Sequence, residues 1–169
     1  MKRHILLCLA ASLIMLPSWA ASVNVEFDKT VDFSKYKTYG WTKGTHASSA
    51  QVQQYIVKFV NRQLKDKGLI PVTEGDPDVY VLTHAISSQG FNAGAAYIGL
   101  PNWGGGIIMS DPSVYTSGTL VVDLKDPATD EPVWRAIAQG TFGANPNLGK
   151  VEKKLDKLTA KMFKSFPPK

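Results

Sequence analysis

The chain has 169 residues, 44% of them apolar and 20% charged, with a formal net charge of +5 and a single cysteine, Cys8. That length suits one domain able to bury its own core, and so mild a charge excludes the dense basic face of a nucleic-acid-binding protein. One cysteine excludes a disulfide within the chain and any multi-thiolate zinc site.

Residues 1–20 read as a signal peptide. Lys2 and Arg3 give a positive start, Ile5–Leu16 runs without a charge but is too short to span a bilayer, and Ser18-Trp19-Ala20 puts small residues where signal peptidase reads them. Cleavage is expected between Ala20 and Ala21. It leaves 149 residues with 17 basic and 14 acidic side chains, a net charge of +3, and no thiol, as suits an oxidising compartment. Cys8 lies too early, and after the wrong residue, to be an acylated lipoprotein cysteine. The expected product is therefore a single domain over residues 21–169 in the periplasm, not lipid-anchored through Cys8.

Val23, Val25 and Phe27 alternate with Asn24, Glu26 and Asp28, the period of a strand with one buried face. Tyr36–Trp41 is aromatic and β-branched and predicts a second strand. From Ser49 to Lys67 the apolar Val52, Ile56, Phe59, Val60 and Leu64 recur at helical steps; Ser48 or Ser49 can cap this helix and Gly68 can end it. Leu69–Val72 then resumes an extended path. Val79–Ile86, after the Asp76-Pro77-Asp78 turn, is apolar on both parities and predicts a central strand covered on both faces.

Thr119–Leu124 and Val133–Phe142 are two further strands, joined by a hairpin loop at residues 126–130. A last helix carries the stripe Leu148, Val151, Leu155, Leu158 and Met162, with Asn145 as cap, Pro146 at the first position and Pro167-Pro168 as stop. This order predicts a two-layer α+β domain: a mostly antiparallel sheet of about 5–6 strands with two amphipathic helices on one face.

The run Asp32-Phe33-Ser34-Lys35-Tyr36-Lys37-Thr38-Tyr39-Gly40-Trp41 is followed by Lys67-Gly68, Pro77-Asp78-Val79, Gly118-Thr119-Leu120-Val121-Val122-Asp123, Val133-Trp134-Arg135 and Phe166-Pro167-Pro168. In that order they resemble domain-of-unknown-function family 4136, exported bacterial proteins, many of them lipoprotein-like. The resemblance spans nearly all of residues 21–169 and implies an envelope setting and an α+β fold. It brings no activity with it, and the chain lacks the cleavage-site cysteine of the family's lipoprotein members.

Catalytic signals are thin. His46 and His84 stand in no metal-ligand spacing. Asp123, Asp126, Asp130 and Glu131 lack the pattern of a calcium loop and read as turn residues. Asp123 and Arg135 form a candidate structural ion pair in one hairpin register and separate in the adjacent one. Gly104-Gly105-Gly106 is not followed by the Gly-Lys-Ser of a phosphate loop, and no Gly-x-Ser-x-Gly elbow occurs. No catalytic residue, metal or cofactor is assigned.

Residues 88–118 hold one charge, Asp111, with seven glycines and many large apolar side chains. So long a segment is either a hairpin covering the sheet's open face or a docking surface. Phe91, Tyr97, Trp103, Ile107 and Tyr115 are its candidate partner-binding residues, for an envelope protein, a glycan or a peripheral contact with the membrane. The lysines of the last helix read as its solvated face. The expectation is a non-catalytic envelope protein that binds or scaffolds a partner. The alternatives are an envelope-polymer hydrolase with paired carboxylates and a small-ligand carrier using the sheet's open face.

Overall fold

A computed structural model describes residues 22–92 and 113–168. The signal-peptide segment and Tyr97, Trp103 and Ile107 lie outside the described residues. Within them the chain forms β1 (Ser22–Phe27), a short 3₁₀ turn (Phe33–Lys35), β2 (Thr38–Trp41), α1 (Ala50–Asp66), β3 (Ile70–Pro71), β4 (Val79–Asn92), β5 (Ser113–Lys125), β6 (Pro132–Gly143) and α2 (Leu148–Met162). The strands make one open sheet in the order β1-β6-β5-β4-β2-β3. Only β2 departs from antiparallel pairing, running parallel to both β3 and β4. The fold is α+β, with six strands and two helices.

The strands bury one parity almost completely. Val79, Val81, Val122, Leu124, Trp134 and Ala136 are all close to zero exposure and pack with Ile56, Val60 and Leu64 of α1 and Leu155, Leu158 and Met162 of α2. Ion pairs Lys58–Glu152 and Arg62–Asp156 join the helices at the same sequence offset. The helices therefore run parallel, with both N-termini at the same end of the sheet.

Three expectations need correction. Apolar residues on both parities of β4 do not mean cover on both faces: Leu82 is buried, but Ile86, on the same side, is 61% exposed. The flanks of the 88–118 segment do not fold back over the sheet. They lengthen it, pairing Ser88–Asn92 with Ser113–Ser117 in register. And α2 is capped by Asn147, whose carboxamide oxygen accepts the Gly149 N–H, not by Asn145. It ends at Met162, before the prolines, because Phe163 and Phe166 turn in to pack on Trp134.

Candidate functional site

The aromatic run near the N-terminus is structural. Asp32 caps the 3₁₀ turn through the Ser34 N–H, and Phe33 and Tyr36 are buried. The Tyr36 hydroxyl and Lys35 both reach Asp126 in the β5–β6 loop, at 2.9 and 3.2 Å. The Tyr39 hydroxyl and the Trp41 indole N–H both donate to Asn61 Oδ1 of α1, each at 2.9 Å. Asp78 accepts the N–H groups of Lys37 and Thr38 at 2.9 and 2.8 Å. One ten-residue stretch thus ties β2 to a helix, a hairpin loop and the start of β4.

The other candidates also find structural partners. The Thr45 N–H donates to His84 Nδ1 at 3.2 Å, holding the loop after β2 along β4. Asp126 Oδ1 accepts the Ala128 N–H, turn chemistry in the β5–β6 loop. Asp123 and Arg135 are direct cross-strand partners, and the guanidinium donates through Nε and Nη2 to the two carboxylate oxygens, 2.7 Å each. Among the described residues, no three His, Cys, Asp or Glu side chains gather as metal ligands. Phe91 lies in β4, and the Tyr115 ring in β5 lies against its cross-strand partner Gly90. Such a ring covers the backbone that a glycine leaves bare.

A site that the sequence pattern did not single out lies on the helix side. Where the parallel helices begin, the sheet beneath them carries a cross-strand row of small residues, Ser87, Gly118 and Gly140, beside a second row of Ala85, Leu120 and Ala138. With little side chain on this floor, a cavity of about 270 Å³ opens between sheet and helices. Ser49, the cap of α1, Val52 of α1, Val151, Leu155 and Leu158 of α2, and Phe142 of β6 are among the residues that line it. Among the described residues, none lining it is ionisable. A volume near the lower end of the small-molecule range, about 300–1000 Å³, with apolar walls, suits an apolar ligand.

One cation stands at its edge. Lys154 of α2 crosses over Gly140, close enough that a Cβ there would lie 3.0 Å from the lysine Cε. Its ammonium donates to the Thr141 carbonyl and sits 4.4 Å from the centroid of the Phe142 ring. Among the described residues it has no carboxylate partner, and burial holds its pKa below the ordinary lysine value. The signal that could have pointed here was the small-residue rows, but they align only once strand register is known.

The family model described as Domain of unknown function (DUF4136) matches residues 23–168. The chain belongs to this family. No curated protein matches the sequence. Among solved structures, the DUF4136 fold here is similar to a PDZ domain protein from Parabacteroides distasonis, with 14% identity and a TM-score of 0.58 over 88% of this chain and 36% of that one. It is also similar to the PelC dodecamer from Paraburkholderia phytofirmans, with 10% identity and a TM-score of 0.53 over 85% of this chain and 94% of that one. At these identities the likeness concerns the fold alone. No described helix is long and apolar enough to cross a membrane.

Proposed function

We propose that the protein is a non-catalytic carrier of the bacterial cell envelope that takes a small apolar ligand between its helices and its sheet. The observation carrying this reading is the groove over Ser87, Gly118 and Gly140, whose described lining residues include no ionisable group. Binding without chemistry is what such a lining favours, since hydrolysis of an envelope polymer needs acid and base groups facing the substrate. This reading puts the carrier site on the helix-covered side of the sheet, an alternative to a carrier surface on the open face. Export of the domain follows from the signal-peptide reading of residues 1–20.

The groove is tested with Nile red, a neutral apolar dye that brightens out of water. The purified protein should bind it saturably at one site. Gly118→Leu should weaken binding at least about tenfold, because its side chain enters the groove from a position where the Cβ itself meets nothing closer than 3.8 Å. Equal binding by the two proteins would refute the groove. N-terminal sequencing of the periplasmic product should read Ala21 first.

A further inference from the structure

We infer that the groove's ligand is a single-chain aliphatic carboxylic acid, its hydrocarbon chain lying over Gly118 and its carboxylate paired with Lys154. This rests on the carrier reading above and adds the chemistry of the occupant.

The chain part follows from size and lining. A cavity of about 270 Å³ with walls from Val52, Leu155 and Phe142 has room for one slender apolar chain. The head part follows from charge. Lys154 has spent one N–H on the Thr141 carbonyl and has no carboxylate partner among the described residues, so its remaining donors are free for an anion. No carboxylate is among the described residues lining the groove, and neither helix carries an acidic residue in its first turn. The lysine is half-buried against Phe142 and Gly140. There, an ion pair is screened less than at an open surface. A neutral ligand of the same length would fill the groove and leave that cation unmatched.

The experiment compares decanoate with decanol by titration calorimetry on the purified protein at pH 8, beside the Nile red assay. The acid should bind one per chain and about tenfold or more tighter than the alcohol, the scale of one charge-assisted contact. Lys154→Met should bring the acid down to the alcohol, Lys154→Gln should do the same, and Lys154→Arg should keep the preference. Circular dichroism melts establish that each variant is folded.

If the alcohol binds as well as the acid, or either neutral variant keeps the preference, the inference is overturned while the carrier reading stands. The same holds if Nile red binds and neither aliphatic compound does. If Nile red also fails, both readings fall together. A protein that ignores dissolved decanoate but binds phosphatidylglycerol vesicles overturns the inference in favour of a lipid surface.

Discussion

At the scale of single residues, the aromatic run shows what a sequence can and cannot reveal. Tyr39 and Trp41 stand out by spacing alone, yet their shared acceptor, Asn61, is one polar residue among several on a helix and carries no local mark. Asn61→Ala leaves two donors without a partner, and Tyr39 is fully buried. A loss of about 1–3 kcal/mol is expected in urea unfolding; a change within about 0.5 kcal/mol would mean water replaces Asn61. Asp78 makes a pH prediction. The N–H groups of Lys37 and then Thr38 hold its carboxylate below the ordinary aspartate range. Its contribution is therefore complete above the unfolded-state value, about 3.9, and disappears as pH falls through the lower folded value. Asp78→Asn should be less stable than the parent at pH 7, with the gap closing towards pH 3; a gap that widens in acid would contradict the bonding described.

At the scale of elements, α1 was legible to within a residue because its signals agree: Ser49 caps it, an apolar stripe follows, and Gly68 takes a φ of 88° just past its end. The start of α2 was less legible, since Asn145 and Asn147 are equally good caps locally and the packing of the helix on the sheet chooses between them. Pairing within the β5–β6 hairpin was open by one residue, and the register Asp123↔Arg135 decides it, with a bulge next to Leu124. Asp123 is 2% exposed whereas the Arg135 side chain is 44% exposed, so the two partners are not equivalent. Arg135→Met strands a buried carboxylate and should cost about 2–3 kcal/mol, less than a fully buried pair because the guanidinium end is wet. Combining Arg135→Met with Asp123→Val should recover most of that loss, since a matched apolar pair needs no counter-charge. A double variant as unstable as the single one would show that the pair also sets register. The helix–helix pairs Lys58–Glu152 and Arg62–Asp156 are exposed and orient more than they stabilise; Lys58→Ala should change stability by no more than about 1 kcal/mol.

At the scale of the whole molecule, the α+β class was readable because period two and period 3.6 alternate plainly along the chain. The groove was not, because it belongs to no element. Ser87, Gly118 and Gly140 are far apart in sequence and become one floor only when β4, β5 and β6 lie in register beneath two parallel helix starts. The groove and the segment containing Trp103 are rival seats of function. Asn92 and Ser113 face each other across the antiparallel β4–β5 pair, so residues 93–112 can be replaced by Asn-Gly, a two-residue link that suits such a pair. The shortened protein should unfold within about 1 kcal/mol of the parent, because the buried cluster of the strands and the two helices is built from residues that the shortened chain keeps. It should bind Nile red with unchanged affinity if the carrier site lies over Gly118. Loss of dye binding in a folded, shortened protein would instead move the site to the segment containing Trp103.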